Sequence, residues 1–433
     1  MTESINSNRR VRLPFVLALG LVVIATAGWS LWDFVEARRL ESALADARGR
    51  GLLTQERSAP APDLTTEGPD AADLYRASAD ALPGWKDVVR LSRAFGSGTP
   101  PPSAQDLATA AAILRASETA FHLASLAKSA PVTPRTAGQE DLYPILPMMS
   151  FRTAVAARTG HLDDAWQSLL DEVAVTRVVE DAGGKSGALR PSVVLSVAAT
   201  DLGVLLSQQA PPANATTVLA AAFARDLDHE PVPVVALLSR ALSGDAVSRA
   251  LASTVITRPS LRARITRLVL TLVELHQAVS LPWPQRLERL ASLASDANPK
   301  ETLGLPLGLR VSSPDVPLGA QVFLGGVLEN ERYLAQGIAL ARSARVALAV
   351  EVFRRTAGHP PATLNELVPT FLAQIPADPF TGSPLKYVSN AAGYRVYSVS
   401  INGKDDGGDF GGGLTTAEQR YAKDVGLRVS RPG

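Results

Sequence analysis

The chain has 433 residues, 43 basic against 42 acidic, and no cysteine. That length exceeds one ordinary core and predicts two or three units. A formal net charge of +1 gives no general argument for a nucleic-acid partner. Without cysteine there are no disulfides and no thiolate chemistry, so an extracytoplasmic fold has to be held by its core or by a metal.

From Leu13 to Trp32 no charged residue occurs. A helix over that run is about 30 Å long, which matches the hydrocarbon core of a bilayer. Arg9, Arg10 and Arg12 precede it, and Asp33 and Glu36 follow it. This asymmetry places the N-terminus in the cytoplasm and the bulk of the chain outside. Trp29 and Trp32 suit the outer interfacial belt. A cleaved signal peptide ending at Ala25-Thr26-Ala27 is the rival reading, but the helical pattern continues through Val35, Leu40 and Leu44. The expectation is an uncleaved single-pass anchor in a bacterial inner membrane. Residues 1–12 then form a cytoplasmic tail, 13–32 the anchor, and 33–69 a helical extension and linker. Pro60, Pro62, Gly68 and Pro69 make the end of that linker a flexible tether. Only seven of the basic residues are lysine, which points to a GC-rich coding bias rather than a basic patch.

Residues 70–296 read as one long helical region. Ser103 and Asp106 open a helix whose apolar positions Leu107, Ile113, Leu114, Phe121 and Leu123 recur at roughly helical spacing. Phe151 to Val179 reads as a helical hairpin with its turn at Gly160, and it resembles one tetratricopeptide-type unit, although no clean 34-residue period follows. Further helices are expected near Pro191–Gln208, Thr216–Asp226, Val234–Val255, Ser260–Val279 and Pro284–Ser295. Residues 297–328, with Pro299, Pro306, Pro314 and Pro317, form an apolar connection expected to lie packed on the helices.

Motifs for catalysis are absent along this stretch. The five histidines are scattered, with no i, i+4 pair of the kind that binds zinc on a helix. No G-x-S-x-G elbow occurs. Gly184-Lys185-Ser186 lacks the leading glycine of a phosphate loop, since position 179 is Val179. Asp163-Asp164 sits at a helix start, where two carboxylates complement the dipole. Arg262, Arg264 and Arg267 read as the solvated side of an amphipathic helix. A non-enzyme is expected, with no small-molecule substrate identified.

A helix resumes near Leu328 and runs to Thr356. Two short strands follow, Leu385–Val388 and Tyr394–Ser400, joined by a turn from Ser389 to Gly393. Asp405, Asp406 and Asp409 then place three carboxylates within five residues, with Asn402 just before them. Like charges this close repel unless a cation sits among them. Calcium takes six to eight oxygens at flexible angles, and the loop glycines let carbonyls turn inward. The spacing is not that of an EF-hand, and a mobile solvated loop is the competing reading.

Gly358-His359-Pro360-Pro361, Leu364-Asn365-Glu366-Leu367, Asp378-Pro379-Phe380-Thr381-Gly382, Tyr397-Ser398-Val399 and the acidic loop occur in that order. This succession resembles the C-terminal domain of the G-type major pseudopilins of type II secretion, over residues 329–413. The resemblance implies a long helix on a small antiparallel sheet whose last loop binds calcium. Carried over, it makes Asn402, Asp405, Asp406 and Asp409 the metal ligands, with backbone carbonyls near Ser398 and Ser400. The N-terminal processing signature of that family is not matched, because no acidic residue lies between Leu13 and Trp32. Residues 414–433 read as a tail, with Thr415 and Glu418 at capping-box spacing for a short helix.

The fold class expected is therefore mainly α: a transmembrane helix, a helical ectodomain with a TPR-like αα-hairpin, and a small α+β C-terminal domain. The function expected is that of a membrane-anchored extracytoplasmic scaffold with a protein partner in the envelope and structural calcium, associated with secretion. The alternatives are an envelope hydrolase with an unrecognised site and a minor component of a pseudopilus.

Overall fold

A computed structural model describes residues 4–53, 70–82, 102–132, 144–181, 190–228, 258–297, 320–410 and 423–431, with isolated positions between 88 and 95 and between 230 and 252. Side chains are described within these, except for residues 4–20, 181 and 320. The described helices are α1 (Ser4–Gly49), α2 (Ala71–Asp80), α3 (Ala104–Ala116), α4 (Glu118–Ala127), α5 (Ile145–Arg158), α6 (Leu162–Asp181), α7 (Pro191–Gln208), α8 (Ala213–Phe223), α9 (Arg258–Val279), α10 (Gln285–Asp296) and α11 (Ala320–Ala357). A 3-10 turn (Leu364–Leu367) precedes strands β1 (Lys386–Asn390), β2 (Gly393–Ser398) and β3 (Val425–Ser430). The protein is mainly helical with a small antiparallel sheet of order β1-β2-β3.

The chain gathers into two compact units. The first comprises Met1–Arg57, Val234–Ala278 and Leu293–Gly325. In it α1 changes character along its length. Leu21, Val22, Val23, Ile24, Leu31, Trp32 and Phe34 are all exposed, Ile24 at 69%. From Glu36 onward, Glu36, Leu40, Ala43 and Ala47 form a buried stripe at helical spacing. At the changeover Arg262 of α9 pairs with the Asp33 carboxylate at 2.8 Å and donates to the Asp33 carbonyl at 2.8 Å. The arginine face expected to be solvated is thus divided: Arg264 and Arg267 are exposed, while Arg262 is drawn inward.

The second unit comprises Ser58–Pro233, Val279–Ser292 and Gly326–Gly433. Its helices begin where local chemistry dictates. Ser103 and Asp106 form a reciprocal capping box at the start of α3, and Gly160 takes φ +81° in the turn between α5 and α6. The α5–α6 pair is the expected hairpin, but its helices of 14 and 20 residues lead into no repeat, so the tetratricopeptide likeness gains no support. α7 is long and apolar enough to cross a membrane, yet it lies in the core, with Val194, Leu195, Ala198, Leu202 and Leu205 fully buried.

One hydrophobic cluster joins this helical region to the sheet. Trp166, Leu169, Leu195, Leu202 and Leu219 belong to it, and so do Ile338, Val346, Val350, Tyr394, Val396 and Leu427. α11 runs through that cluster with Ile338, Ala339, Ala341, Ala344, Val346, Ala347 and Val350 all fully buried. Its approach to α7 is close enough that a Cβ at Gly337 would lie 3.3 Å from the Ser192 carbonyl oxygen. Nearer its C-terminal end, Tyr394 of β2 donates its phenol to Glu351 of α11 at 3.0 Å.

The C-terminal tail differs most from expectation. Residues 425–430 form β3, which pairs with β2 from Gly393↔Ser430 to Ser398↔Val425. Its end docks on α7, where Arg431 donates to the Leu206 carbonyl at 2.7 and 2.8 Å and Ser430 N–H donates to Ser207 Oγ at 3.1 Å. The sheet therefore extends past the boundary drawn at residue 413. The short helix expected from Thr415, the connection at 298–318 and most of the helix at 234–255 lie outside the described residues.

Three polar groups mark the second unit, two of them buried and the Arg342–Asp228 pair partly exposed. Arg286 and Glu331, 1% and 0% exposed, form an ion pair at 2.5 Å, with Arg190 3.8 Å from the same carboxylate. Arg342 clamps the Asp228 carboxylate with two bonds of 2.7 Å and reaches the Ala377 carbonyl at 2.7 Å. Between α6 and α7, Glu172 and Asp201 bury two carboxyl groups against each other. Burial raises both, Glu172 well above the usual range and Asp201 to about 7, so the pair holds a proton at neutral pH. The folded state then binds more protons than the unfolded chain between the ordinary carboxylate range and about pH 7, and its stability is lost as pH rises through that window. Thermal unfolding followed by circular dichroism should show Tm falling by several degrees from about pH 5 to about pH 8, and Asp201→Asn should flatten that dependence.

Candidate metal centre

The acidic loop leaves β2 through a buried brace. The Asp378 carboxylate accepts three bonds: from Phe380 N–H at 2.8 Å, from Ser398 Oγ at 2.8 Å and from Val399 N–H at 3.0 Å. One satisfied side chain thus ties the Asp378-Pro379-Phe380 turn to the end of β2. Ser400 follows at φ 56°, and its hydroxyl accepts from Gln336 of α11 at 3.0 Å. Both ends of the loop's entry are anchored to the core before the first acidic residue.

Asn402 accepts from Lys404 N–H at 2.9 Å and donates to Asp406 Oδ2 at 2.9 Å. Asp405 accepts from the Tyr397 phenol at 2.9 Å and from Gly407 N–H at 3.0 Å, with Lys386 Nζ at 3.5 Å. The Gly407 amide holds its carboxyl below the usual carboxylate range; burial opposes this, and Tyr397 and Lys386 add to the lowering. Asp409 pairs with Lys423 at 3.0 Å. Gly408 takes φ +75°, and a Cβ there would lie 2.8 Å from Arg395 Cδ, so the chain turns here only as glycine.

A fifth residue enters that local sequence reading did not include. Asp424, one residue before β3, is 3% exposed and accepts from Gly408 N–H at 2.8 Å. Its Oδ1 has no hydrogen-bond partner among the described residues. Burial raises its carboxyl, backbone N–H groups of Gly408 and Asp406 oppose this, and the charges of Asp406 and Asp405 raise it further. It was missed because it lies 15 positions from Asp409 and becomes a neighbour only when β3 pairs with β2; the signal available was an acidic residue directly ahead of the alternating run Val425, Leu427, Val429.

The four residues predicted from sequence lie in one loop, with Asn402 bonded to Asp406, Asp405 to Tyr397 and Asp409 to Lys423. Among the described residues no group of three or more His, Cys, Asp or Glu side chains is arranged to hold a metal ion. The mutual repulsion that seemed to demand a divalent ion is met in part by ammonium groups. Lys386 stands on Asp405 and Lys423 on Asp409, and the hydrogen bond that Lys423 donates to Asp409, followed by the charges of Asp409, Asp406 and Asp424, pushes the Lys423 amine up. What suits calcium is the donor chemistry alone: the side chains are oxygen donors, the charges of Asp406 and Asp405 act on Asp424, and one buried oxygen of Asp424 has no partner among the described residues.

Comparison with protein-family models, with curated proteins and with solved structures returns no match for this chain.

Because Lys423 is solvent-exposed, its effect is screened by salt. Lys423→Ala should lower Tm at low ionic strength in the absence of divalent ions, and the deficit should shrink on adding about 0.5 M sodium chloride. An equal deficit at both salt concentrations would assign Lys423 a packing role instead.

Proposed function

We propose that the protein is a single-pass, membrane-anchored scaffold on the extracytoplasmic side of a bacterial inner membrane, with no catalytic activity. It presents a helical body and a C-terminal sheet to a protein partner of the envelope. The observation that carries this reading is α1, whose exposed apolar residues from Leu21 to Phe34 pass directly into the buried stripe Glu36, Leu40, Ala43 and Ala47. Apolar side chains exposed on successive positions all round a helix are costly in water and favourable in lipid. The arginines at 9, 10 and 12 supply the orientation.

The resemblance to major pseudopilins supports a link with secretion, and the long helix α11 lying on an antiparallel sheet agrees with it. In this proposal calcium is an accessory ion of the loop. Asp405, Asp406 and Asp424 would hold it with Asn402, while Asp409 stays with Lys423.

Two experiments test the reading. The chain has no native cysteine, so single probes are unambiguous. In intact cells with a permeabilised outer membrane, an impermeant maleimide should label Ser383→Cys and should label Ser7→Cys only after lysis; the reverse pattern, or release of the protein by carbonate, sinks the anchor. For the ion, millimolar calcium should raise the Tm of the full-length protein more than magnesium does, and Asp424→Asn should abolish the difference; identical curves with the two ions remove calcium from the proposal.

A further inference from the structure

Along the outer side of the helical body, between α6 and α8, runs a groove of about 590 Å³. Its walls are Leu170, Val173 and Ala174 from α6, facing Val218, Ala221 and Ala222 from α8. The groove exists because alanine occupies positions where α6 and α8 would otherwise meet with larger side chains. Val173 and Ala222 belong to the same buried cluster as Trp166, Leu169, Leu219 and Phe223, so part of the trough's apolar wall is continuous with the core. Val218 on its rim is 47% exposed.

Charge is distributed unevenly around this trough. Among the described residues three cations line it, Lys128, Arg177 and Arg225, and no carboxylate does. The two guanidinium groups are held toward one end. Arg177 donates to the Ala127 and Ala130 carbonyls at 3.2 and 2.8 Å, and Arg225 pairs with Glu180 at 2.9 Å and donates to Thr176. Lys128 is tied to Asp171, one and a half turns back along α6, at 2.6 Å. From Gln167 to Arg177 the groove follows α6 for about 15 Å.

We infer that this groove binds a single-chain amphiphile, its apolar chain lying between α6 and α8 and its anionic head group at Arg177 and Arg225. The volume falls within the range of sites that enclose a small ligand. A chain of that kind gains about 0.8 kcal/mol for each methylene it buries. The anchored guanidiniums present their remaining N–H donors to a carboxylate or phosphate without first having to be ordered. A protein tethered beside a bilayer meets two sources of this chemistry, a free fatty acid and an anionic lysophospholipid. The groove is independent of the loop and of calcium, while the choice of a bilayer-derived ligand rests on the membrane anchor proposed above.

The test uses the full-length protein in nanodiscs of zwitterionic phosphatidylcholine, with a photoreactive dodecanoate as probe and mass spectrometry to place the crosslinks. The expected adducts fall on 167–177 and 217–225. Arg177→Gln with Arg225→Gln should weaken the carboxylate about tenfold and leave the corresponding dodecanol analogue unchanged. Ala221→Trp, at an exposed position, should abolish labelling without lowering Tm, and Val218→Asp provides a second block should the tryptophan perturb folding. Displacement by lysophosphatidylglycerol would identify a lipid-derived ligand, and retention of the label would identify a free acid. Adducts scattered outside the groove, or labelling that survives both blocking variants, overturns the inference.

Discussion

The constraint on which the rest of the second unit depends is the burial of the middle of α11 by both the helical region and the sheet. A helix buried on most of its faces can be stable only if something covers each of them. Here α7 approaches it closely at Gly337, Tyr394 of β2 bonds to its Glu351, and β3 in turn packs on α7 through Leu427 and Gly203. Sequence distance hides this economy. The residues that close the helical body around α11 lie between 157 and 227, and those that close the sheet lie beyond 364. Both sets belong to one cluster with the long helix, and β3 with the Arg431 that follows it also meets α7 directly at Gly203 and Leu206.

That arrangement gives the polar interior its meaning. A buried Arg286–Glu331 pair is weak evidence for added stability, since desolvation offsets most of the attraction. It does make any other seating of α11 unfavourable, because each charge would be left alone in the core. The Asp378 brace acts in the same way at the loop. Its carboxylate is fully satisfied only when the 378–380 turn and the end of β2 meet. The acidic loop is thus carried on a rigid frame, and its lysines moderate a repulsion that would otherwise work against the last strand.

Much of this was readable locally. The boundaries of α7, α9 and α10, the Ser103 capping box and the β1–β2 hairpin follow from periodicity, caps and turn glycines, all of which act over a few residues. The acidic loop was found for the same reason. What escaped was non-local. β3 consists of six residues in a tail, Val425 to Ser430, whose alternation becomes a strand only beside β2. Asp424 travels with it, so the carboxylate cluster was short by its most buried member. Lys423 was equally invisible as a counter-ion, because it too comes beside the loop only with β3. The module expected at 329–413 was read as separate because the apolar faces of α7 and α11 each look like an ordinary core stripe.

Native-state hydrogen exchange on the full-length protein tests the shared core most directly. The account predicts that the slowest amides of α7, such as that of Leu202, and those of β2, such as that of Val396, open with the same free energy and respond equally to denaturant, because one cooperative event exposes both. If the β2 amides exchanged through a distinct, lower-energy opening while α7 stayed protected, the sheet would be a separate domain resting on the helices, and the central role given to α11 would be contradicted.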